Sequence, residues 1–283
     1  MIQKNVDLGK MTTMRIGGIA DVLFTPESVD ELEDALTQIG DNKYYIISGG
    51  SNLLINDEKR FLHVISMREI DKRIDNLGNG QFYIGASARI QKVIKEVNSQ
   101  GYGGLEQLYS IPALLGGMVY MNAGVGRKKN EAIGDFIVSV DVLENHKVRT
   151  LTADECQFGY RKSIFQNNPR MVIIGATLQL YEIEIEEANK RIKERMSYVQ
   201  NTQDHSGANF GTLCSKSDTR LIALSRLLHK GDMEGVHFSK KKPNCLINSG
   251  KGTYAQAIKL IHSVQRIHKF FHKPCELEVR IWE

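Results

Sequence analysis

The spacing of hydrophobic residues along the chain predicts a mixture of strands and helices. Short runs rich in β-branched and aromatic residues, each bounded by turn-forming residues, predict strands. These runs are residues 20–24, 44–48, 82–86, 137–143, 171–180, 236–238, 245–248 and 277–282. Apolar residues at helical spacing predict helices over residues 29–39, 88–100, 184–200, 218–228 and 254–271. The first helix has a capping box at Ser28 and Glu31, and Gly40 is expected to end it.

The charge distribution predicts two lobes. The length of 283 residues suits about two domains. Residues 211–273 carry 12 Lys and Arg against 3 Asp and Glu, whereas residues 1–210 carry 24 against 27. Together with the charged helix over residues 184–200, this change predicts a domain boundary near residues 180–200. The basic lobe favours an anionic partner such as a phosphate group.

Composition disfavours several classes of protein. No apolar run approaches the ~18 residues that cross a bilayer, and the first ten residues lack the apolar core of a signal peptide. We therefore expect a cytoplasmic protein with no membrane partner. The four cysteines form no C-x-x-C pair and the histidines show no metal-ligand spacing, so no metal site is expected. The basic residues lack interleaved aromatic residues, which argues against a nucleic-acid partner.

The 25 glycines contrast with only 5 prolines, and many of them lie in three clusters. The first is T-x-R-I-G-G at residues 13–18, and the second is S-G-G-S-N-L-L at residues 48–54, after a predicted strand. The third spans residues 103–124 and contains I-P-A-L-L-G-G. Paired glycines after a strand allow backbone N–H groups to converge on phosphate oxygens, with Ser51 and Asn52 as further donors. The common P-loop and G-x-G-x-x-G motifs are absent from the chain.

In this order the clusters resemble the UDP-N-acetylenolpyruvoylglucosamine reductase family. The resemblance continues through G-Y-R-K-S-I-F at residues 159–165, N-C-L-I-N at residues 244–248 and L-E-V-R at residues 277–280. It covers nearly the whole chain. The chain has no room between Phe165 and Thr202 for the tyrosine-bearing insertion of the longer family type, so it resembles the shorter type.

The resemblance implies an α+β fold, the FAD-binding fold of the vanillyl-alcohol oxidase and p-cresol methylhydroxylase type. Two α+β subdomains, of about residues 1–58 and 59–182, would form an FAD-binding domain over residues 1–182. A C-terminal α+β domain over residues 183–283 would bind the substrate. Its last strand would return Glu278 to the flavin site.

The implied activity is reduction of the enolpyruvyl group of UDP-N-acetylglucosamine enolpyruvate in peptidoglycan precursor synthesis. NADPH would give a hydride to FAD, and the reduced flavin would give it to the substrate double bond. The residues implied to bind FAD are Ile47, Ser48, Gly49, Gly50, Ser51, Asn52, Leu53, Ile111, Pro112, Gly116, Gly117, Asn122, Gly124 and Ile174. Those implied to bind the UDP-sugar substrate are Tyr160, Lys216, Lys241 and Asn244.

The substrate half-reaction requires positive charge beside the developing anion and a group that supplies a proton. Arg161 suits the substrate carboxylate, and Glu278 matches the family carboxylate that polarises the reacting group. The family serine in A-G-S-x-F-K is missing from this chain. One register places Thr212 at that position, a second places Asn209 there, and Cys214 is a third candidate donor. We favour Thr212, because this register keeps the preceding glycine and a hydroxyl group.

Two other functions remain open at this stage. The missing serine is compatible with a catalytically impaired FAD- or UDP-sugar-binding relative, and the basic lobe alone with a nucleic-acid-binding protein. Two further positions depart from the family pattern: Ala113 replaces a glycine, and Lys242 replaces a histidine. The chain is expected to be a monomer.

Overall fold

The computed structural model describes residues 1–126, 130–229 and 235–283. Its α-helices are α1 (Val29–Ile39), α2 (Ile90–Ser99), α3 (Leu115–Met121), α4 (Ile185–Thr202), α5 (Thr219–Leu228) and α6 (Tyr254–Phe270). Its strands are β1 (Ile2–Asp7), β2 (Ile19–Phe24), β3 (Tyr44–Ile47), β4 (Leu53–Ile55), β5 (Arg60–Ser66), β6 (Ile74–Gly78), β7 (Gln81–Gly85), β8 (Tyr102–Gly103), β9 (Ile137–Glu144), β10 (Lys147–Thr152), β11 (Val172–Gln179), β12 (Tyr181–Glu182), β13 (Cys214–Lys216), β14 (Val236–Phe238), β15 (Leu246–Asn248), β16 (Glu276–Leu277) and β17 (Arg280–Trp282). Short 3-10 helices cover Leu8–Met11, Glu106–Ser110, Ile133–Asp135 and Ile164–Gln166. Among the described residues, no helix is long and apolar enough to cross a membrane.

Helix α1 shows how local sequence sets the ends of an element. The Ser28 hydroxyl accepts a hydrogen bond from the N–H of Glu31 at 3.2 Å, as the capping box predicts. The Glu31 carboxylate in turn accepts from the N–H of Glu27 at 3.0 Å. The helix ends at Gly40, whose φ of 60° is a backbone conformation that favours glycine. Both predicted ends of this helix are therefore confirmed.

The largest sheet has five antiparallel strands in the order β10–β9–β11–β7–β6. Gly175 of β11 lies between Gly85 of β7 and Asp141 of β9. An irregularity between Ile173 and Gly175 interrupts the pairing with β9. Helix α3 packs against β7 and β11, so this sheet supports the segments that precede and follow α3.

A second sheet has four strands in the order β1–β2–β5–β3, and its β3 and β5 are parallel. The remaining strands form pairs, namely β8 with β12, β13 with β16, β14 with β15 and β4 with β17. The pair of β4 with β17 is parallel, whereas β13 and β16 are antiparallel. The mixture of helices with largely antiparallel sheets is the α+β class expected from the sequence.

The chain divides into two compact units, within each of which the Cα atoms lie close together in space. Unit 1 comprises residues 1–2, 23–49 and 63–199, and unit 2 comprises residues 3–22, 50–62 and 200–283. The division predicted from the sequence, at residue 182, separates an FAD-binding domain from a substrate-binding domain. The two compact units do not show which residues bind FAD or substrate, so that division stays a prediction.

The core of unit 2 surrounds the segment that carries Thr212. Leu213, Cys214 and Phe210 are buried in one apolar cluster with side chains from α5, α6 and the β14–β15 pair. Burial of such side chains contributes roughly 1.5–3 kcal/mol each. Thr212 is therefore flanked by residues that are anchored in the core.

The single strand predicted over residues 277–282 is wrong, because the chain forms two short strands there. β16 ends at Leu277 and β17 begins at Arg280, so Glu278 and Val279 lie between them. β16 runs antiparallel to β13, and β17 runs parallel to β4. The change of partner and of relative direction interrupts regular pairing at Glu278.

Candidate active site

The loop after β3 presents backbone donors that the protein does not use. Within the described part of the chain, the N–H groups of residues 48–52 donate no hydrogen bond. Ser48 Oγ is buried and also has no partner among these residues. Gly50 has a φ of 72°, and a Cβ added to it would lie 2.1 Å from the carbonyl oxygen of Met11. Only glycine fits at this position, and the buried Ser48 hydroxyl is available to a ligand because no described residue bonds to it.

Arg68, which no sequence pattern indicated, holds this loop by donating hydrogen bonds to the carbonyl groups of the loop. Its Nε donates to Ser48 O at 3.2 Å, and one of its terminal nitrogens donates to Gly49 O at 3.4 Å. Partial burial, with the neighbouring charge of Arg89, lowers the pKa of Arg68. Arg68 could have been found only from the pairing of β3 with β5. This pairing brings Met67 N–H to Ile47 O and so places Arg68 beside the loop.

The start of α3 approaches the same loop within unit 1. Gly116 N–H donates to Ala86 O at 2.9 Å, which ties α3 to the segment after β7. A Cβ added to Gly117 would lie 3.1 Å from Ser48 Oγ. Gly117 is therefore brought beside Ser48, while Gly116 lies against Ala86.

The residues before α3 extend this wall. Ile111 O accepts a hydrogen bond from Gln91 Nε2 at 2.6 Å, and Pro112 is exposed. Ala113, the residue that replaces a family glycine, is not one of the described residues with positive φ. The methyl group of Ala113 therefore causes no backbone strain of the left-handed type.

Three residues that the resemblance implies to bind FAD lie in strands. Ile47 is fully buried at the end of β3, and its carbonyl accepts from Met67 N–H at 2.8 Å. Leu53 begins β4 and is partly exposed. Ile174 lies at the irregularity in β11, is buried, and its carbonyl accepts from Ala86 N–H at 3.0 Å. Ile174 is thereby fixed next to the segment that holds Gly116.

Arg161 is held by backbone carbonyls at the end of α3. Its guanidinium donates to Asn122 O at 3.5 Å and to Gly124 O. Asn122 takes the left-handed conformation that ends α3, with φ 40° and ψ 56°. Its amide donates to Gly159 O at 2.8 Å and accepts from Gly134 N–H at 2.9 Å. The structure thus brings together three predicted site residues, Arg161, Asn122 and Gly124.

A tight turn presents Tyr160 and Arg161 side by side. Gly159 and Lys162 exchange two backbone hydrogen bonds of 3.0 Å, which close the turn around the two residues. Arg161 has a φ of 56°, and its guanidinium lies 4.9 Å from the centre of the Tyr160 ring. This cation–π contact keeps the charge and the ring together at the tip of the turn. Both side chains are half-buried.

In unit 2 the backbone places Thr212 beside the chain segment of Glu278. Leu213 O accepts a hydrogen bond from Glu278 N–H at 2.8 Å. Thr212 and Glu278 are both half-buried, and the Thr212 hydroxyl makes no hydrogen bond with any described residue. Two of the three predicted catalytic residues therefore come from neighbouring backbone segments. Arg161 belongs to unit 1.

The two other candidate proton donors are engaged. Asn209 Oδ1 accepts from Gly211 N–H at 3.0 Å, and its Nδ2 donates to Gly207 O at 3.3 Å. Cys214 is buried, with its sulfur 3.7 Å from the sulfur of Cys275. Thr212 differs from both, because its hydroxyl bonds to no residue that the structure describes.

Asn244 braces the segment that carries Thr212. Its Oδ1 accepts from Cys214 N–H at 2.9 Å, and its Nδ2 donates to Cys214 O at 2.8 Å. Its backbone carbonyl accepts from Leu213 N–H at 3.0 Å. Asn244 was predicted to bind the substrate, and the structure shows its amide used to hold the backbone of Cys214.

Asn52 links the glycine-rich loop to the strand break at Glu278. Its Nδ2 donates to Glu278 O at 3.0 Å, and its carbonyl accepts from Arg280 N–H at 3.0 Å. The side-chain donor predicted to face a phosphate is therefore engaged with the protein. Thr13, in the first glycine cluster, supports the same loop, since its N–H donates to Gly50 O at 3.1 Å.

The predicted substrate-binding lysines lie on the exposed surface of unit 2. Lys216 forms an ion pair with Glu276 at 3.5 Å. Lys241 Nζ donates to Gln200 O at 3.4 Å. Both side chains are solvated, and exposed ion pairs contribute little to stability.

Asp204 organises the loop of three lysines and was not identified from the sequence. Its carboxylate accepts from the Ser239 hydroxyl and from Lys240 N–H, both at 2.9 Å. Burial alone would raise the pKa of Asp204, but these hydrogen bonds and two from Ser206 hold it well below its usual range. The carboxylate is therefore charged at neutral pH, beside the start of the lysine run.

Known proteins share both the cofactor-binding part and the full length of this chain. The model of the family described as "FAD binding domain" matches residues 20–149. UDP-N-acetylenolpyruvoylglucosamine reductase of Bacillus subtilis (strain 168) is 30% identical over 270 residues, which cover 93% of this chain and 87% of that protein. The chain belongs to the UDP-N-acetylenolpyruvoylglucosamine reductase family. The protein of the same name in Leptospira interrogans serogroup Icterohaemorrhagiae serovar copenhageni is 28% identical over 274 residues, 93% of this chain and 85% of that protein.

A solved structure supports the same family. UDP-N-acetylenolpyruvylglucosamine reductase from Thermus caldophilus is 26% identical, with a TM-score of 0.78, and the match covers 100% of this chain and 99% of that chain. As a UDP-N-acetylenolpyruvoylglucosamine reductase family member with an FAD binding domain, the chain is an FAD-dependent oxidoreductase. The predicted α+β fold with an FAD-binding domain is confirmed.

The glycine-rich loop fits FAD on the observations of this structure. FAD carries pyrophosphate oxygens that accept hydrogen bonds, and residues 48–52 offer N–H groups that donate to no acceptor in the described ranges. The buried Ser48 hydroxyl bonds to none of the described residues, and Gly117 leaves room next to it. These features lie inside the part of the chain that the FAD binding domain model matches.

Proposed function

We propose that this chain reduces UDP-N-acetylenolpyruvoylglucosamine in peptidoglycan precursor synthesis, with FAD as its cofactor and NADPH as the hydride donor. Family membership supports the reaction, and the fit of the glycine-rich loop supports the cofactor. When bound in this loop, FAD would supply the hydride-transfer chemistry that links the nicotinamide to the enolpyruvyl double bond. The protein must hold both partners and must supply positive charge and a proton.

The proposed FAD-binding residues are those predicted from the sequence, with Arg68 added as support for their loop. Backbone N–H groups of residues 48–52 would hold the pyrophosphate, and Gly116, Gly117 and Ser48 would line the cofactor. The carbonyls of Ser48 and Gly49 are engaged by Arg68, so the loop offers its N–H groups and the Ser48 hydroxyl to the cofactor. Asn52 contributes through its backbone and positions the segment of Glu278.

Arg161 is the proposed group that receives the substrate carboxylate. Its guanidinium is held by carbonyl oxygens and by the Tyr160 ring, so its orientation is set before the substrate arrives. A preorganised cation at this position would stabilise negative charge that develops on the carboxylate as the hydride is added.

Thr212 is the proposed proton donor for the carbon next to the new C–H bond. Its hydroxyl is the single candidate of the three that is not engaged by described residues. Glu278 would polarise the reacting group from the neighbouring backbone segment. A general acid of this kind accelerates a reaction by ~10²–10⁴-fold.

The basic surface of unit 2 is the proposed site of the UDP diphosphate. Lys216 and Lys241 are exposed there, and Asp204 fixes the loop from which Lys241 projects. Asn244 is proposed to act on the substrate indirectly, because its amide holds the segment next to Thr212. We further propose that the protein is a cytoplasmic monomer, since a soluble nucleotide sugar and NADPH are its reactants, and that it has no nucleic-acid partner.

The observation that carries this proposal is the Thr212 hydroxyl, which bonds to no described residue, on a backbone segment that neighbours that of Glu278. The purified protein should contain FAD or take it up, and NADPH oxidation should depend on the enolpyruvyl substrate. A protein unable to bind FAD would contradict the proposal. Uptake of FAD and of the UDP-sugar without any NADPH oxidation would instead support the catalytically impaired relative.

A further inference from the structure

Two thiols in unit 2 lie close enough to react with each other. The sulfur atoms of Cys214 and Cys275 are 3.7 Å apart, and neither cysteine forms a disulfide. Cys214 begins β13 and is buried, whereas Cys275 precedes β16 and is partly exposed. The antiparallel pairing of β13 with β16 holds the two side chains together.

The two sulfur atoms differ in reactivity. A hydrogen bond joins the two sulfur atoms, and it lowers the pKa of Cys275. The thiolate is the nucleophilic form of cysteine, and a dissolved oxidant reaches a partly exposed sulfur first. Cys275 is thus the sulfur that first attacks an oxidant, and Cys214 is the sulfur that then closes the disulfide bond.

We propose that Cys214 and Cys275 are a redox modification site, at which peroxide forms an intramolecular disulfide that slows the substrate half-reaction. The Cys275 thiolate attacks one peroxide oxygen, the O–O bond breaks, and the departing hydroxide takes a proton to become water. The Cys214 sulfur then attacks the sulfenic acid on Cys275, and its proton leaves with the hydroxyl as a second water. Two thiols are oxidised, and one peroxide is reduced to two waters.

The effect on the reaction follows from the place of the disulfide, and this part rests on the proposed function. Closing the bond shortens the sulfur separation from 3.7 Å to about 2.05 Å. Cys214 follows Thr212 by two residues, and Leu213 O accepts from Glu278 N–H. The contraction therefore acts on the two strands that position Thr212 and Glu278. A displacement of about 1 Å can slow a reaction by ~100-fold.

The test starts from the FAD-loaded enzyme with its flavin oxidised and its cysteines reduced, which is then treated with hydrogen peroxide. Non-reducing peptide mass analysis should show a peptide pair joined through Cys214 and Cys275, with the loss of two hydrogens. After NADPH reduction and addition of the enolpyruvyl substrate, flavin reoxidation should be about 10–100-fold slower than before treatment. Dithiothreitol should restore the rate. The C275S variant should form no such pair and keep its rate, and the C156S variant should behave like the unmodified chain.

Each readout can overturn its part of the proposal. If free thiols persist at peroxide concentrations that oxidise exposed protein thiols, the modification site is wrong. If the disulfide forms and reoxidation keeps its rate, the effect on the reaction is wrong. The mass readout does not require turnover, so a chain that proves inactive still decides whether the disulfide forms.

Discussion

Replacement of Asn244 tests whether this residue positions the active site or binds the substrate directly. Both atoms of its amide hold the backbone of Cys214, at 2.9 and 2.8 Å. Cys214 is 3% exposed, so water does not readily replace these contacts. In N244A, the Cys214 N–H and carbonyl lose their side-chain partners together.

The size of the effect follows from the two contacts. A buried polar group left without its partner costs about 1–3 kcal/mol. Two such groups would make local opening of the segment easier by about 2 kcal/mol or more, which corresponds to an acceleration of amide exchange of about 30-fold at Cys214. Thr212 lies two residues before Cys214, so the substrate half-reaction should slow at the same time.

Hydrogen–deuterium exchange on the holoenzyme measures this directly. The peptide that contains Cys214 should exchange faster in N244A, whereas peptides of the five-stranded sheet should not change. N42A is a matched control, because the Asn42 amide makes one hydrogen bond, to Ile39 O at 2.8 Å, in unit 1. Unchanged exchange at Cys214, combined with a higher KM for the substrate, would refute the positioning role and support direct substrate contact.

Three further variants test other parts of the account. T212A should slow substrate-driven flavin reoxidation by ~10²–10⁴-fold and leave reduction by NADPH unchanged, while T212S should keep most of the rate; equal rates in all three proteins would exclude Thr212 as the donor. G50A should lose FAD uptake, measured by flavin absorbance after reconstitution, because its Cβ would lie 2.1 Å from Met11 O, whereas G40A, also at positive φ but with open space, should keep it. The pKa of Asp204 is depressed in the folded state, so its contribution to stability is complete above its unfolded pKa of about 3.9. Below that pH the contribution is lost progressively, and the acid unfolding curves of D204A and the unmodified chain should converge. A difference between the two curves that stays constant as the pH falls would be inconsistent with this.

Local signals predicted the elements whose causes are local. The capping box at Ser28 and the stop at Gly40 predicted α1, because the contacts that end this helix lie within a few residues. The prediction of a single final strand was wrong at Glu278, because the two short strands there pair with β13 and β4, which are far away in the sequence. No pattern within residues 277–282 reports that change of partner.

The same distinction applies to the site. The glycine pairs could be predicted to offer backbone donors, since glycine after a strand has a local meaning. The carbonyl clamp of Arg68 on the loop depends on the register of β3 with β5. The use of the Asn52 and Asn244 amides by the protein also depends on distant backbone segments. Composition and spacing identify which residue types are available, and tertiary contacts decide which of their atoms remain free.

Single-turnover reoxidation of the flavin tests the central claim most directly. The FAD-loaded protein is reduced with one equivalent of NADPH without oxygen and is then mixed with UDP-N-acetylenolpyruvoylglucosamine while flavin absorbance is followed. We predict rapid return of the oxidised flavin spectrum, with one reduced sugar nucleotide formed for each flavin. A flavin that stays reduced in the presence of bound substrate would contradict the assignment of this chain as a working reductase.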